Sequence, residues 1–475
     1  MPSAKKTKIV ATLGPATSTK SVLRDMILAG VNVFRINFSH ADYSDVSARI
    51  KMIRELNDEL GVYTSILADL QGPKLRVGVM EEGIVVSPGD QVTFATGAPF
   101  VGTATRAYMT YDSFPQDVKV GEKVLLDDGK LLFEVVSTNG KDEVVTKVVQ
   151  GGPLKSKKGV NLPNTKISLP ALTEKDIEDA IFAIGEKVDW IALSFVRFSQ
   201  DLKDLQELIA KHTDLKIPIV SKIEKPEAID NIDEIIEYTD ALMVARGDLG
   251  VEIPAEEVPL IQKQLVLKAK QARKPIIIAT QMMETMIDSL TPTRAEVNDV
   301  ANSVMDGADA VMLSGETSVG QYPVQVIEKM SSILRAVEHS ELIRVPLTPP
   351  VNLSRRYVTK SVCYHAAIMA NEMNTAAIST LTNSGYTAYQ ISAWRPPAHI
   401  LVFTSNKRIL TQLNLLWGVQ AFYYDSMVST DQTILDLNEM AKKAGYVSEG
   451  DTIINLASMP IKERGMVNTL RVSSI

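Results

Sequence analysis

The chain carries eight short runs of apolar residues, and most of them are followed by a segment with helical periodicity. Such runs are typical of strands in a parallel sheet, which are buried on both faces. Eight strand–helix repeats predict a closed (β/α)₈ barrel, which needs roughly 250 residues. The runs are KIVATLG from Lys8, VNVFRINFSH from Val31, TSILADL from Thr64, DWIALSFV from Asp189, IPIVSKIE from Ile217, ALMVARGD from Ala241, PIIIATQ from Pro275 and ADAVMLSGE from Ala308.

The pattern changes between the third and the fourth run. Residues 71–170 alternate strand-like runs with Gly, Asp, Asn and Pro turns, as in DDGKLLFEVVSTNGKDEVVTKVV. This predicts a small inserted β-barrel domain. Because the insertion leaves the barrel at a βα loop, where active sites form, we expect it to act as a lid. The alternative is a passive insertion.

A third region follows the segment RVPLTPPVN. Helical patterns alternate there with four short apolar runs, AAISTL, HILVF, AFYY and TIINLAS, which predict an open α/β sheet. A chain of 475 residues is expected to hold about three domains. We therefore predict a barrel domain from residues 1–70 and 171–345, a lid domain from residues 71–170 and a C-terminal α/β regulatory domain from residues 346–475.

Composition excludes several classes of protein. The net charge of −7 and the lack of a Lys- or Arg-rich block argue against nucleic-acid binding. The only cysteine, Cys363, cannot form an intrachain disulfide and fits a reducing compartment. The sequence shows no signal peptide and no long apolar span, so we expect a cytoplasmic protein without a membrane anchor.

Residues with reactive or charged side chains collect at the C-terminal ends of the apolar runs. In a (β/α)₈ barrel this rim carries the active site. Two carboxylates and a lysine suit a hard divalent cation that holds an anionic substrate, and the basic residues beside them suit phosphoryl transfer. The alternative is a set of internal ion pairs, and strand-end hydroxyls can simply cap the next helix. The residues are Arg35, Asn37, Ser39, His40, Asp69, Gly72, Pro73, Lys74, Arg76, Lys222, Glu224, Arg246, Gly247, Asp248, Thr280, Ser314 and Glu316.

The segments SKIEKPEAIDNIDEI and MVARGDLGVEIP resemble pyruvate kinases of the bacterial type, and the resemblance covers essentially the whole chain. It implies transfer of a phosphoryl group from phosphoenolpyruvate to ADP, giving pyruvate and ATP in glycolysis, with Mg²⁺ or Mn²⁺ as cofactor. A metal-dependent lyase or aldolase would use the same carboxylate pair but would need neither the lid nor the basic residues Arg35, Arg76 and Lys158. The other alternative is a non-catalytic sensor. Every catalytic position of the family is filled in this chain, which a sensor would not need.

The resemblance also implies roles for residues at the substrate. Arg35 grips the substrate phosphate, and Lys222 is the catalytic lysine that neutralises charge on the transferring group. Glu224 and Asp248 are the Mg²⁺ ligands. The backbone N–H of Gly247 and the side chain of Thr280 bind the carboxylate end of the substrate. Thr280, directly or through water, and Ser314 are the two candidates for protonating the enolate, and the sequence does not choose between them.

A second group of residues is implied at the nucleotide and at a monovalent cation. Asn37 and Ser39 help to form the cation site together with Asp69 and the carbonyl of Leu70. The residues placed on the nucleotide are Asn37, His40, Arg76 and Lys158. In relatives that need K⁺, a glutamate stands where this chain has Lys74 in DLQGPKLR, and a threonine usually stands at Leu70. An ammonium at Lys74 could replace the charge of K⁺, so we expect K⁺ not to be required. The alternative is a solvated hinge lysine.

The loop TLTNSGYT lies at a strand-to-helix turn in the third region, where backbone N–H groups can hold phosphate. Taken alone, the spacing favours an ordinary loop with a helix cap. The resemblance implies a site for a phosphorylated effector and a homotetrameric assembly. The implied effector residues are Thr382, Asn383, Ser384, Gly385 and Thr387, with Lys462 and Arg464 from KERGMVNTLR. Tyr389 stands where many relatives carry an arginine, so the sequence does not identify the effector.

Overall fold

The eight predicted strands form a closed parallel barrel in the computed structural model, which describes residues 5–338, 340, 347–351, 356–426, 429–459 and 466–475. The first strand pairs in parallel with both the second and the eighth, which closes the barrel. The predicted fold class is thereby confirmed. The barrel strands are Lys8–Thr12, Val33–Asn37, Ser65–Asp69, Trp190–Leu193, Ile219–Ile223, Ala241–Ala245, Ile276–Ala279 and Ala310–Leu313.

Helices follow the barrel strands and pack their apolar faces against them. Local signals set several helix ends: Thr173 and Asp176 form a capping box at the start of one helix, and Gly307 in a left-handed conformation ends another. No helix among the described residues is long and apolar enough to cross a membrane. The helices of this region are Lys20–Ala29, Tyr43–Leu60, Glu174–Gly185, Ser199–His212, Pro226–Asp230, Ile232–Tyr238, Arg246–Glu252, Val258–Gln271, Arg294–Asp306, Gly315–Ser318 and Pro323–Glu338, with 3₁₀ turns at Pro15–Thr17, Phe38–His40, Ala255–Glu257 and Glu284–Ile287.

The barrel interior is filled with side chains, as expected for eight strands. Trp190 and Met243 are fully buried there together with smaller aliphatic residues. Two residues of the C-terminal region, Leu415 and Tyr389, pack against this interior cluster, and Trp190 Nε1 donates a hydrogen bond to the carbonyl of Gln412 at 3.2 Å. The C-terminal region therefore closes the foot of the barrel, opposite the rim that carries the predicted site.

The insertion is all-β apart from one short helix, as predicted. Its strands form a curled six-stranded sheet and a separate two-stranded sheet around their own apolar core. At its hinge, the N–H of Gly72 donates to Asp176 Oδ1 at 3.0 Å, which ties the lid to a barrel helix. The elements are strands Val85–Val86, Gln91–Ala95, Arg106–Tyr108, Lys123–Leu126, Leu131–Thr138, Glu143–Gln150, Gly152–Pro153 and Val160–Asn161, and helix Phe114–Asp117.

The C-terminal region is an open α/β sheet of five strands. The four predicted strands are present and pair in parallel. Thr469–Ser474 adds an antiparallel edge strand that the apolar pattern did not indicate, because its residues are exposed or half-buried. The strands are Ala377–Leu381, His399–Thr404, Val419–Tyr423, Thr452–Ala457 and Thr469–Ser474; the helices are Tyr357–Glu372, Tyr386–Ala393, Lys407–Gln412 and Thr430–Lys443, with a 3₁₀ turn at Leu413–Leu415. The exact domain boundaries stay a prediction.

Candidate active site

The predicted site residues of the barrel lie at the C-terminal ends of its strands. Because all neighbouring barrel strands are parallel, these ends share one rim. Asp69 at the end of the third strand is in register with Asn37 of the second strand and Ala192 of the fourth. The register thus brings residues far apart in the sequence to one level of the barrel mouth.

Lys222 lies at the centre of the charged groups at this mouth. Its Nζ is 3.2 Å from Asp69 Oδ1 and 3.0 Å from Glu224 Oε1, and it donates to Ser194 Oγ at 2.7 Å. Ser194 in turn donates to the carbonyl of Leu70 at 2.6 Å. The ammonium group is therefore held in one position by three neighbours, while its side chain keeps 11% of its surface exposed.

Arg35 shares one of these carboxylates. Its Nε donates to Asp69 Oδ2 at 2.6 Å, and its Nη1 donates to Thr12 Oγ1 at 3.0 Å. Its Nη2 makes no hydrogen bond to any residue that the structure describes. Asp69 is almost fully buried and bridges Arg35 and Lys222, so the two cations are presented side by side with donors left for an anion.

The pKa values follow from burial and from these ion pairs. Burial alone would raise the pKa of Asp69, yet the charges of Lys222 and Arg35 bring it below the ordinary value. Burial alone would lower the pKa of Lys222, but Asp69 and Glu224 raise it above the ordinary value. Lys222 is therefore a permanent cation at neutral pH.

Glu224 and Asp248 are placed to hold a divalent cation. Burial raises the pKa of Glu224 against the opposing effect of Lys222, and the Asp248 carboxylate raises it further. Asp248 makes no hydrogen bond or ion pair with another described residue, and it lines the crevice under the lid. The described residues contain no group of three or more His, Cys, Asp or Glu that could hold a metal ion. Two carboxylates nevertheless fit Mg²⁺, because Mg²⁺ usually keeps water and substrate oxygens as its other ligands.

Thr280 and Gly247 form a hydrogen-bonded pair at the ends of the seventh and sixth strands. The N–H of Gly247 donates to Thr280 Oγ1 at 2.7 Å, and the Thr280 hydroxyl donates to the carbonyl of Ala279 at 2.6 Å. Thr280 has a φ of 71°, an unfavourable conformation for a β-branched residue. Arg246 holds this turn, because it donates to the carbonyl of Thr280 at 2.7 Å and makes a bidentate ion pair with Asp299 at 2.7 Å.

Ser314 lies at the end of the eighth strand beside a buried carboxylate. Its N–H donates to Glu316 Oε2 at 2.7 Å, and Glu316 Oε1 accepts from the N–H of Met283 at 3.1 Å. Burial raises the pKa of Glu316. Glu316 thus joins the loops after the seventh and eighth strands, and the half-buried side chain of Ser314 stays near the mouth.

The residues that the resemblance assigns to a monovalent cation are engaged with the protein itself. Asn37 Oδ1 accepts from the N–H of Ser39 at 3.1 Å. Both oxygens of Asp69 are in the ion pairs described above, and the carbonyl of Leu70 accepts from Ser194. The side chain of His40 lies outside the part of the molecule that the structure describes.

A crevice separates the lid from the barrel mouth. Lys74 lines it together with Asp128 of the lid and Asp248 of the barrel, and Lys74 has no ion-pair partner among the described residues. Arg76 Nη1 donates to the carbonyl of Lys157 at 3.0 Å. Lys158 pairs with Asp127 at 2.8 Å, which raises the pKa of the lysine. The structure thus brings Lys74 near the candidate metal ligand Asp248 and leaves Arg76 and Lys158 on the lid.

The lid touches the barrel through a polar contact at the far side of the same crevice. Asn161 Nδ2 of the lid donates to Glu252 Oε1 at 2.8 Å, and Lys225 Nζ of the barrel contacts the same oxygen at 2.7 Å. Glu252 is 5% exposed. This contact holds the lid against the helix that begins at Arg246 and carries Asp248.

The predicted effector loop connects the strand Ala377–Leu381 with the helix Tyr386–Ala393. The N–H of Gly385 donates to Thr382 Oγ1 at 3.1 Å, Gly385 has a φ of 78°, and Thr387 is buried. Asn383 and Ser384 are exposed at the loop tip. Tyr389 does not belong to the loop, because its ring packs at the foot of the barrel. Lys462 and Arg464 lie outside the described residues.

Three residues that support the site were not predicted from the sequence. Ser194 and Phe195 directly follow the strand Trp190–Leu193 within the run DWIALSFV, and Phe195 donates its N–H to Glu224 Oε2 at 2.9 Å. Their position at the C-terminal end of a barrel strand could have identified them as site residues. Asp299 had no signal of this kind, since it lies inside a helix 53 residues after its partner Arg246.

Two family models match the chain. The model "Pyruvate kinase, barrel domain" matches residues 4–327, and the model "Pyruvate kinase, alpha/beta domain" matches residues 360–473. Together they span nearly all of the barrel, the lid and the C-terminal sheet.

Individual relatives agree with this match. A pyruvate kinase of Geobacillus stearothermophilus is 43% identical over 472 residues, covering 99% of this chain and 80% of the relative. One of Mycobacterium intracellulare is 41% identical over 468 residues, covering 98% of both chains. The crystal structure of a pyruvate kinase from Cryptosporidium parvum superposes with a TM-score of 0.92 at 32% identity, over 99% of this chain and 96% of the other.

Proposed function

Because this chain belongs to the pyruvate kinase family, we propose that the mouth of its barrel is where the family reaction takes place. The enzyme transfers the phosphoryl group of phosphoenolpyruvate to ADP, giving pyruvate and ATP in glycolysis, and it uses a divalent metal ion. The main observation that supports this location for the reaction is the ammonium of Lys222, which is held 3.2 Å from Asp69 and 3.0 Å from Glu224. We propose that it works in the cytoplasm, where glycolysis takes place.

The phosphoryl group is proposed to lie between Arg35 and Lys222. Arg35 keeps its Nη2 for the phosphate, since Nε donates to Asp69 and Nη1 donates to Thr12. Lys222 stays charged and stabilises the negative charge that spreads over the phosphoryl oxygens during transfer. Both groups are preorganised, so they need little rearrangement when the substrate binds.

The carboxylate end of the substrate is proposed to lie toward Gly247 and Thr280. The N–H of Gly247 donates to Thr280 Oγ1 at 2.7 Å, so the two groups are adjacent, and this N–H would have to leave that bond to bind the substrate carboxylate. We propose Mg²⁺, which Mn²⁺ can replace, as the metal held by Glu224 and Asp248. When bound there, the metal ion neutralises charge on the oxygens of the substrate.

Transfer breaks the bond between phosphorus and the enol oxygen and forms a bond to the terminal phosphate of ADP. The enolate that remains takes a proton at carbon and becomes pyruvate. Two hydroxyl groups are candidates for the proton, that of Thr280, directly or through water, and that of Ser314. Thr280 already donates to Ala279 at 2.6 Å, so it would have to leave this bond or act through water.

The nucleotide is proposed to bind between the barrel mouth and the lid. Arg76 and Lys158 supply positive charge from the lid, and the resemblance adds Asn37 and His40 as contacts from the barrel. Lys74, which lines the crevice beside Asp248, is proposed to replace K⁺. Activity with Mg²⁺ alone is therefore expected.

Three further proposals rest on the resemblance. The loop with Thr382, Asn383, Ser384, Gly385 and Thr387, joined by Lys462 and Arg464, binds a phosphorylated effector. The enzyme assembles as a homotetramer. The domain boundaries are those given above, with residues 71–170 as the lid. The strand-to-helix geometry and the left-handed Gly385 support the loop as a phosphate site.

A coupled assay of pyruvate formation tests the proposed function. Pyruvate should form only when phosphoenolpyruvate, ADP and Mg²⁺ or Mn²⁺ are all present, and Lys222→Met should abolish it. Pyruvate formation from phosphoenolpyruvate without ADP would instead indicate transfer of the phosphoryl group to water, and no turnover of the folded enzyme would indicate a lyase with another substrate or a sensor. Either result would refute the proposal.

A further inference from the structure

Residues 194–197, which we call the hinge segment, directly follow the fourth barrel strand and contact both connections between the barrel and the lid. The outgoing connection follows the third strand, which ends at Asp69, and the return connection precedes the helix that begins at Glu174. The same segment contacts Lys222 and Glu224 at the barrel mouth. It therefore touches the lid connections and the proposed catalytic charges at once.

The outgoing connection packs against the start of the hinge segment without free space. Ser194 Oγ donates to the carbonyl of Leu70 at 2.6 Å. Gly72 lies so close that a Cβ atom there would be 2.7 Å from Phe195 Cδ2 and 2.9 Å from Ser194 Cβ. Its φ of 71° also favours glycine. Any displacement of Gly72 toward the barrel would therefore press directly on the ring of Phe195.

The return connection is held by the other end of the hinge segment. Arg197 Nη1 donates to the carbonyl of Ile167 at 2.5 Å, and its Nη2 donates to the carbonyl of Leu169. Arg197 is only 8% exposed and forms no ion pair with any residue that the structure describes. A buried guanidinium without a countercharge is costly, but its rigid fork can hold two acceptors at once. Arg197 thus acts as a clamp on the return connection.

Phe195 joins the lid connections to the proposed metal ligand. Its N–H donates to Glu224 Oε2 at 2.9 Å, while its ring faces Gly72. Its φ of 54° is uncommon for a residue other than glycine, and such a conformation persists only where the surrounding structure holds it. The neighbouring Ser194 Oγ accepts from Lys222 Nζ at 2.7 Å. One strained turn therefore links the hinge to the carboxylate of Glu224.

We propose that Phe195 and Arg197 are positioning residues that couple the position of the lid to the carboxylate of Glu224. When the lid shifts, Gly72 moves the Phe195 ring, and the N–H of the same residue reorients Glu224. Arg197 fixes the return connection, so that the two connections move together. The inference rests on the proposed function, because it takes Glu224 as a metal ligand.

The coupling has two measurable consequences. Hydrogen-bond partners of a metal-binding carboxylate typically contribute about 10–100-fold to metal affinity, so a disturbance at the hinge should weaken metal binding. Coupling between two sites is also reciprocal. A metal ion on Glu224 should therefore restrain the lid connections, even when no substrate and no nucleotide is present.

Mn²⁺ binding to the full-length enzyme without substrate or nucleotide tests the first consequence. Gly72→Ala places a methyl group against Phe195 and should weaken the Mn²⁺ affinity, measured by calorimetry, about 10–100-fold. Gly83→Ala is the matched control. Gly83 also lies in the lid and has a φ of 76°, but a Cβ atom there would meet no atom within 4 Å. The control carries the same backbone strain and should bind Mn²⁺ like the wild type.

Trypsin cleavage after Lys166 tests the second consequence. Lys166 is exposed and directly precedes Ile167, which Arg197 holds. Mn²⁺ should slow this cleavage severalfold in the wild type, relative to cleavage after the exposed Lys141 of the lid in the same digest. In Arg197→Met, cleavage should be faster, and Mn²⁺ should no longer slow it. Arg106→Met removes a lid arginine that pairs with Glu143 instead, and it should behave like the wild type.

The outcomes separate this inference from the proposed function. If the wild type binds Mn²⁺ but Gly72→Ala binds it equally well, or if Mn²⁺ leaves the cleavage after Lys166 unchanged, the coupling is refuted and the proposed function stands. A lower melting temperature of Gly72→Ala with unchanged Mn²⁺ affinity would reduce the contacts to packing. A wild type that does not bind Mn²⁺ would refute the metal site and the inference together. If Gly72→Ala does not fold, Arg197→Lys decides: its single ammonium cannot replace the fork, so Mn²⁺ should protect Lys166 less than in the wild type, and equal protection would overturn the inference.

Discussion

Replacing Lys222 with methionine removes the charge at the centre of the barrel mouth and keeps a side chain of similar length. In the structure, Lys222 Nζ lies 3.2 Å from Asp69 and 3.0 Å from Glu224, and both carboxylates are 1% exposed. Removing one partner of a buried ion pair typically costs about 3–5 kcal/mol in stability. We expect the lower end of that range, because the pKa of Glu224 is already raised and this carboxyl can take up a proton.

The effect of pH on this stability loss has a definite sign. The pKa of Asp69 is lowered in the folded wild type, so its ion pairs contribute stability above the unfolded pKa of about 3.9 and lose it as pH falls through the folded pKa. Without Lys222, the pKa of Asp69 should rise toward its ordinary value. The difference in unfolding free energy between wild type and variant should therefore be largest near neutral pH and shrink in acid.

The catalytic effect should exceed the effect on binding. A positioned charge that stabilises a transition state contributes about a hundredfold to a thousandfold in rate. Lys222→Met should lower kcat by at least that factor, while the affinity for phosphoenolpyruvate, measured by titration calorimetry, stays within about tenfold. Initial rates come from the coupled assay at saturating Mg²⁺.

Lys8→Met is the matched control. Lys8 is 1% exposed and donates to the carbonyl of Val419 at 2.8 Å at the opposite end of the same barrel. Its replacement also removes a buried lysine, so it should reduce stability and leave kcat unchanged. If Lys8→Met lowers kcat as much as Lys222→Met does, or if substrate affinity in Lys222→Met falls as far as kcat, the role given to Lys222 is wrong.

Four other predictions follow from the site and its surroundings. Wild-type activity should be independent of K⁺ in tetramethylammonium buffer, and Lys74→Glu should make it partly K⁺-dependent; a severalfold K⁺ stimulation of the wild type contradicts this. Thr382→Asp with Ser384→Asp should abolish activation by sugar phosphates in rate assays, and retained activation would exclude the loop. Because the pKa of Glu224 is raised, Mg²⁺ affinity measured by calorimetry should fall as pH is lowered from neutral; an unchanged affinity argues against this ligand. Asn161→Ala removes a lid contact and should raise the KM for ADP severalfold with little change in kcat, and an unchanged KM would show that the contact does not hold the lid.

Much of the barrel could be predicted because its strands are buried on both faces. The run IPIVSKIE from Ile217 shows the logic: five buried residues form the strand Ile219–Ile223, and charge is tolerated only near its C-terminal end, at Lys222 and Glu224. The parallel arrangement then brings such ends to one rim, so Asp69 and Glu224 could be expected near Lys222. The antiparallel edge strand Thr469–Ser474 was not predicted, because a half-exposed edge lacks the apolar signal.

Contacts of residues with no charge or strand-end pattern to mark them were beyond prediction. Ser194 has an ordinary hydroxyl, and only the folded barrel shows that it lies between Lys222 and the carbonyl of Leu70. Tyr389 stands near the effector loop in the sequence, where many relatives carry an arginine. Its ring nevertheless packs at the barrel foot, because the helix Tyr386–Ala393 turns that face toward the barrel. Such roles depend on the packing of whole elements, which local sequence does not encode.

Lys74→Glu should create only part of a K⁺ requirement, because the ion pairs around Asp69 stay in place. Replacing lysine with glutamate changes the local charge by two units and removes a cation from the crevice that Asp248 lines. Yet both oxygens of Asp69 remain engaged, one with Arg35 at 2.6 Å and the other with Lys222 at 3.2 Å. A K⁺ ion at this carboxylate would have to compete with two fixed cations, and at 4 Å each repulsion is worth about 4 kcal/mol at an effective dielectric constant of 20. The glutamate can attract K⁺, but the carbonyl of Leu70 is also occupied by Ser194, so weak binding and partial dependence are expected.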